Sequence, residues 1–210
     1  MPRASHTTND SGRLRVLGID PGLANVGYGV IDWHPDRSQG QVVEYGVIQT
    51  RVGDALPARL EKIHDQLTAL VERLKPSVAA IEQIYFARNV KTAMVVAHGR
   101  AACVLATSRR RLEVVEYTPL QIKQALTGHG RAAKRQVQMM VRSLLNLDQM
   151  PRPDHAADAL ATALCHVHSL ALNKKIEQAH GDTDNGRPED AEDPRKALLA
   201  SRRRKGRRRR

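Results

Sequence analysis

The stretch RVLGIDPGLANVGYGVID, Arg15 to Asp32, decides the fold of this chain. Its first apolar run predicts a buried strand over 14–19, and Tyr28 to Ile31 predicts the returning strand, with residues 25–27 in or near the turn. A single carboxylate, Asp20, ends the first strand. A buried carboxylate is costly unless it is paired or bound to a metal ion. Asp20 therefore predicts a compensating group elsewhere in the chain.

The remaining sequence predicts a mixed α/β domain. Leucine and isoleucine residues between 56 and 74 recur every three or four positions, which is the period of an amphipathic helix. Strands followed by alternating helices and strands indicate a mixed central β-sheet flanked by helices on both faces. The further elements that we predict are strands over 41–50, 78–84 and 114–117, and helices over 91–106, 118–128, 134–147 and 154–172.

Charge and composition suggest a polyanionic partner and a single domain. The chain has 210 residues and a net charge of +12. The last ten residues, SRRRKGRRRR, contain eight basic groups and no acid, so the rest of the chain is only mildly basic. We expect a disordered N-terminus over 1–13, an ordered domain over 14–173, and a disordered, Arg-rich tail over 174–210.

The cysteines and the hydropathy pattern predict a cytoplasmic protein. Cys103 and Cys165 lie in apolar helical patterns, where buried thiols in a reducing compartment are expected rather than a disulfide. The sequence contains no apolar run of about 18 residues, and residues 1–13 lack the apolar core of a signal peptide.

Three acids interrupt apolar elements: Asp20 on the first strand, Glu82 on the fourth, and Asp158 on the last helix. His155 precedes Asp158 by three residues and faces the same side of that helix, and the neighbouring Asp154 could join them. If the first and fourth strands are adjacent, the acids converge. Such a cluster requires cations, and its hard oxygen ligands suit Mg²⁺ or Mn²⁺. Two such ions would activate a water and stabilise the leaving oxygen of a phosphodiester.

Four ordered segments resemble the RuvC family of Holliday-junction resolvases. They are GIDPGLANVGYGVID, AIEQIYFARNVKTA, EYTPLQIKQALTGHGRAAKRQVQMMV and DHAADALATALCHVH. Together they span residues 14 to about 172. The resemblance implies a ribonuclease H-like fold and a homodimer. It also implies Mg²⁺-dependent, symmetric nicking of two opposed strands at a four-way DNA junction, with ligatable ends, in DNA recombination and repair.

The resemblance also assigns residues and partners. The family's catalytic, metal-binding positions correspond to Asp20, Glu82, His155 and Asp158, with two metal ions per subunit expected; most members carry an aspartate at the position of His155. The family works with a branch-migration motor of the RuvA–RuvB type. The candidate residues for DNA contacts are Tyr85, Phe86, Arg88, Asn89, Lys123 and Lys134, of which Tyr85, Lys123 and Lys134 match positions that the family uses. Of these, the lysines suit phosphates, one aromatic ring suits an unpaired base, and Arg88 and Asn89 suit the backbone.

The sequence allows three other interpretations. GIDPGLANVGYG also resembles the first phosphate loop of actin-like ATPases, but a second such loop and about twice the length are missing. A non-catalytic junction-binding protein of the same fold would have no use for clustered acids, which repel DNA. A zinc site made by Cys165, His166 and His168 is disfavoured because positions i, i+1 and i+3 of a helix do not converge.

Overall fold

The structure is a computed structural model that describes residues 12–35, 39–83, 90–109 and 112–184. Contacts divide the chain into two units, Met1–Ala171 and Leu172–Arg210. The described part of the second unit is helical throughout. No helix in the described ranges has the length and hydropathy needed to cross a bilayer.

A five-stranded mixed sheet forms the centre of the first unit, and the predicted α/β class is confirmed. The strands are ordered β3-β2-β1-β4-β5. β1 pairs antiparallel with β2, and β2 with β3, whereas β1–β4 and β4–β5 are parallel. The strands are β1 Leu14–Asp20, β2 Asn25–His34, β3 Gln39–Gln49, β4 Val78–Glu82 and β5 Glu113–Tyr117; the helices are α1 Leu56–Leu74, α2 Val90–Ser108, α3 Pro119–Thr127, α4 Lys134–Leu144 and α5 Asp154–Asp184.

The sheet separates two hydrophobic cores, because successive side chains of a strand point to opposite faces. Leu17 and Ile19 of β1 pack in the core that α1 and α2 cover. Val16 of β1 and Val78 of β4 lie in the other core, together with buried residues of α3, α4 and α5. Helices therefore cover both faces of the sheet, and β1 lies at its centre.

Glycines on one face of the sheet let α5 approach the backbone closely. A Cβ atom added to Gly18 would lie 2.0 Å from the carbonyl oxygen of Ala159, and one added to Gly27 would lie 1.9 Å from that of His155. Both distances are far below van der Waals contact. The absence of side chains at Gly18 and Gly27 therefore fixes how closely the start of α5 lies over the ends of β1 and β2.

Capping residues lie at both ends of α3, which the sequence predicts over 118–128. Thr118 is the N-cap, and its hydroxyl accepts a hydrogen bond from the backbone N–H of Gln121, with Pro119 in the first turn. Gly128 ends the helix in the left-handed conformation, at φ 81°. Short-range signals were sufficient to place this helix.

Several predicted boundaries were wrong. Residues 25–27 belong to β2 and not to the turn, because Gly27 pairs with Asp20 in the sheet. α4 ends at Leu144 instead of residue 147. α5 continues to Asp184, so regular structure persists beyond residue 173, where we expected the disordered tail to begin. Good helix formers such as Lys174, Lys175 and Glu177 favour this extension.

Candidate active site

The ends of β1 and β4 place two carboxylates at the same edge of the sheet. The two strands are parallel neighbours, and their last registered pair is Ile19 with Ile81. Asp20 and Glu82 are the next residues on the two strands. Because Ile19 and Ile81 both pack towards α1 and α2, the side chains that follow them point to the opposite face, over which α5 begins.

The first turns of α5 bring two further ligands to Asp20. His155 Nδ1 lies 2.7 Å from Asp20 Oδ2 and donates a hydrogen bond to it. Asp20, His155 and Asp158 each offer a ligand atom, and these three atoms all lie within 4.8 Å of one another. Within the described ranges, this three-residue set does not include Glu82. The predicted convergence of Asp20, His155 and Asp158 is thus observed, although Asp20 and His155 are 135 residues apart in the sequence.

The electrostatics of the cluster show crowded negative charge. Burial, followed by the neighbouring charges of Asp20 and Asp158, raises the pKa of Glu82 to about 8. Burial also raises the pKa of Asp20, although the hydrogen bond from His155 opposes that shift. Removing carboxylates from water disfavours their ionised form, and like charges add to that effect. Glu82 is therefore electrostatically part of the cluster.

Lys134, at the start of α4, provides the nearest full positive charge. Its Nζ lies 2.9 Å from Asp158 Oδ2 and 3.3 Å from Asp154 Oδ2. Gln138, one turn further along α4, donates from Nε2 to Asp154 Oδ1 at 3.1 Å. Asp154 is thus held by α4 and is not a member of the three-residue set around Asp20.

The structure describes the other sequence-predicted residues only in part. Lys123 lies half-buried on α3, and its charge lowers the pKa of Glu82. The predicted DNA-contact residues Tyr85, Phe86, Arg88 and Asn89 lie outside the described residues. Sequence reasoning missed the role of Gln138, for which no local pattern exists. It also missed the close approach at Gly27 and Gly29, which the alternation of glycines in NVGYG indicates.

The histidines of the disfavoured zinc site have separate contacts. His166 is buried, and its Nδ1 lies 2.9 Å from the hydroxyl of Tyr117. His168 hydrogen-bonds the carbonyl oxygen of Ala125 and packs edge-on against the ring of Trp33. The contacts of His166 and His168 therefore give no support to a zinc site.

The donor set fits a hard divalent cation. Two carboxylates and an imidazole converge in Asp20, Asp158 and His155, and oxygen-rich sites of this kind bind Mg²⁺ or Mn²⁺. The raised pKa values of Asp20 and Glu82 show that the folded chain lacks enough positive charge to keep both carboxylates ionised. A bound cation would supply that charge.

Comparison with known proteins gives relatives along most of the chain. One relative, "Crossover junction endodeoxyribonuclease RuvC" of Alkaliphilus metalliredigens, is 49% identical over 154 residues, covering 73% of this chain and 93% of the relative. The protein of the same name from Syntrophomonas wolfei is 45% identical over 166 residues, covering 79% and 95%.

Solved structures give the same result for the fold. Thermus thermophilus RuvC in complex with a Holliday junction substrate matches with a TM-score of 0.73 and 35% identity, over 76% of this chain and 96% of that one. The yeast mitochondrial Holliday junction resolvase Ydc2 matches with a TM-score of 0.61 at 16% identity, over 81% and 86%, which bears on the fold alone. The family model for crossover junction endodeoxyribonuclease RuvC matches residues 16–166. The chain therefore belongs to the RuvC family of crossover junction endodeoxyribonucleases, and its fold is ribonuclease H-like.

Proposed function

We propose that the cluster around Asp20 is the metal-dependent centre at which this chain, a crossover junction endodeoxyribonuclease, nicks two opposed strands of a four-way DNA junction. Its members are Asp20, Glu82, His155 and Asp158. The observation that carries the proposal is the convergence of three ligand groups within 4.8 Å at the edge of the sheet. The product would be a resolved Holliday junction with ligatable ends.

Each residue of the cluster has its own role in the proposed phosphodiester hydrolysis. A bound divalent ion, which we propose to be Mg²⁺ with Mn²⁺ as a substitute, supplies an activated water and stabilises charge on the leaving oxygen. Asp20 and Asp158 hold the ion. The hydrogen bond to Asp20 orients the ring of His155, whose side chain remains 45% exposed and accessible to a phosphate. Glu82, whose pKa is raised to about 8 in the metal-free protein, would be favoured in its ionised, metal-binding form by the bound cation.

Basic and aromatic residues around the cluster are proposed to hold the DNA. Lys134 is bound to Asp158, and Lys123 is close enough to affect Glu82, so both ammonium groups lie where a scissile phosphate would arrive. Such contacts position the DNA without reading its sequence. Of the remaining predicted contacts, family position supports Tyr85 rather than Phe86 as the ring that stacks on an unpaired base. Contacts of Arg88 and Asn89 with the DNA backbone are supported by their place shortly after Glu82 in the sequence.

Paired nicking requires two centres, and we propose that α2 joins two copies of the chain. One side of α2 packs in the core through Ala102, Cys103 and Ala106. The side chains of Met94 and Leu105, eleven residues or about three turns apart on another face of α2, are instead 57% and 50% exposed. An apolar helix face left in solvent is typical of a protein interface. A two-fold dimer would present two centres to one junction.

The family resemblance supports two further proposals. We infer that a branch-migration motor of the RuvA–RuvB type works with this chain, and that both act in the cytoplasm.

The direct test is nicking of a synthetic four-way junction with Mg²⁺ or Mn²⁺. We expect paired, religatable nicks at symmetric positions from the wild type and none from Asp20→Asn. Asp65→Asn, which removes an exposed carboxylate from α1, is the matched control and should cut normally. Tight junction binding without cleavage in either metal would contradict the proposal and favour a junction-binding protein. His155→Asp would then be the next variant to test.

A further inference from the structure

Asp154 lies beside the proposed metal centre and has no role in the family resemblance. Its carboxylate accepts from two side chains of α4: Lys134 Nζ at 3.3 Å and Gln138 Nε2 at 3.1 Å. Lys134 and Gln138 are four residues apart and share one face of α4. The ammonium of Lys134 therefore has two anionic neighbours, Asp154 and Asp158, four residues apart on α5.

The two neighbours differ in what else they must bind. Asp158 offers a ligand atom to the set formed with Asp20 and His155, whereas Asp154 does not. The oxygen that Lys134 contacts most closely, Asp158 Oδ2 at 2.9 Å, belongs to a carboxylate that a divalent cation would also use. An ammonium group and a divalent cation repel each other strongly at such short range. A cation on Asp158 would therefore weaken the contact between this carboxylate and the ammonium of Lys134.

We propose that Asp154 is a positioning residue that keeps the ammonium of Lys134 in place when a divalent cation occupies Asp158. Gln138 holds the receiving carboxylate in place. Lys134 is 52% exposed and sits on a flexible stem, so without Asp154 its ammonium would move into solvent. With Asp154 present, Lys134 retains one of its two ion pairs when a metal ion binds Asp158, and the ammonium stays close to the arriving phosphate.

This inference rests on the proposed metal centre, and its test is a double-mutant cycle on metal affinity without DNA. Mn²⁺ binding to the metal-stripped, full-length protein is measured from the electron paramagnetic resonance signal of free Mn²⁺. The variants are Asp154→Ala, Lys134→Ala and the double substitution. We expect Asp154→Ala to weaken Mn²⁺ binding about tenfold in the wild-type background but only about twofold in the Lys134→Ala background.

Two further variants keep the test specific. Gln138→Ala leaves every charge in place and should weaken Mn²⁺ binding in the same direction by about threefold, again only when Lys134 is present. Asp148→Asn removes an exposed carboxylate from the segment after α4 and should leave the affinity unchanged. Equal losses from Asp154→Ala in both backgrounds would overturn the inference, since Asp154 would then act only as a nearby charge.

Asp20→Asn in the same titration separates this inference from the proposed function. If Asp20→Asn leaves Mn²⁺ binding unchanged, the proposed metal centre is wrong and the role of Asp154 falls with it. If Asp20→Asn abolishes Mn²⁺ binding while the effects of Asp154→Ala and Lys134→Ala are simply additive, only the inference about Asp154 fails.

Discussion

At the scale of single residues, the problem is how the fold tolerates a carboxylate at the end of a buried strand. Asp20 is compensated in part by the hydrogen bond from His155. That hydrogen bond does not offset the burial of Asp20 and the neighbouring charge of Asp158, and the pKa values of Asp20 and Glu82 stay raised. The residual repulsion destabilises the metal-free fold and favours cation binding for the same physical reason.

The raised pKa of Glu82 predicts a pH-dependent stability of the metal-free protein. Its folded pKa of about 8 exceeds the ordinary value of 4.5, so between these values the folded chain binds more protons than the unfolded chain. The free energy of unfolding should therefore fall as the pH rises from about 5 to 8, by at most about 1.4 kcal/mol per unit for one group. Urea unfolding in EDTA at several pH values measures this slope.

Glu82→Gln tests whether Glu82 causes this pH dependence of the free energy of unfolding. The amide does not titrate, so the stability of this variant should fall less steeply over the same pH range than that of the wild type. Asp65→Asn, on α1, should keep the wild-type slope. An unchanged slope in Glu82→Gln would mean that another group dominates the titration. Added Mg²⁺ should reduce the wild-type slope, because a bound cation favours the ionised carboxylates.

From the sequence, the members of the proposed site could be predicted only as polar residues that interrupt apolar strands and helices. Asp20 and Glu82 were recognisable because each ends an apolar strand, and His155 and Asp158 because they share a helix face. The contact of Lys134 with Asp158 depends on how α4 packs against α5, which no local pattern encodes. For the same reason Asp154 was considered as a member of the cluster, whereas the structure pairs it with Lys134 and Gln138.

At the scale of elements, the position of α5 depends on the glycines beneath it. Local propensity predicted residues 25–27 in or near a turn, because Asn and Gly favour turns. The structure extends β2 through them, since Gly27 pairs with Asp20 and leaves room for the carbonyl of His155. The strand conformation of residues 25–27 is therefore determined by tertiary packing against α5, which the local sequence pattern does not indicate.

Gly18→Ala should strongly destabilise the protein. Its added methyl group would meet the backbone of α5 at Ala159 and Ala163, where no flexible side chain can move aside. Overpacking against backbone costs about 3 kcal/mol, and any relief requires α5 to move away from the sheet. Thermal or urea unfolding measures the loss, and nicking should fall even where the variant is fully folded, because His155 and Asp158 move with the helix.

Gly53→Ala is the matched control for Gly18→Ala. Nothing lies within 4 Å of a Cβ added at Gly53, so the same substitution there should change the free energy of unfolding by less than about 0.5 kcal/mol. If both variants lost the same stability, the close approach of α5 at Gly18 would not be the cause.

The exposed apolar face of α2 predicts that one charge disrupts self-association. Leu105→Arg places a guanidinium on that face, and burying it against a second copy would be costly. We expect a monomer by analytical ultracentrifugation, with junction nicks no longer paired. Val52→Arg, at a side chain that is 78% exposed in the turn after β3, should remain dimeric. A dimeric Leu105→Arg would place the interface elsewhere.

At the scale of the whole molecule, basic charge is unevenly distributed along the chain. Of its net charge of +12, eight basic groups belong to residues 201–210, which lie outside the described residues. In the folded part of the chain, the proposed metal centre is instead a cluster of acids. Attraction of DNA in general and recognition of the junction are therefore expected to reside in different parts of the chain.

Deletion of residues 201–210 should separate these two functions. Each Lys or Arg that neutralises a phosphate releases condensed counterions, so the tail is expected to add affinity that is independent of DNA structure and sensitive to salt. Binding to duplex and junction DNA should weaken by a similar factor, and the salt dependence of both should become shallower. At saturating junction concentration the nicking rate should stay unchanged, because no residue of the proposed centre is removed. If the preference for junction over duplex disappeared with the tail, structure selectivity would reside in these ten residues rather than in the folded domain.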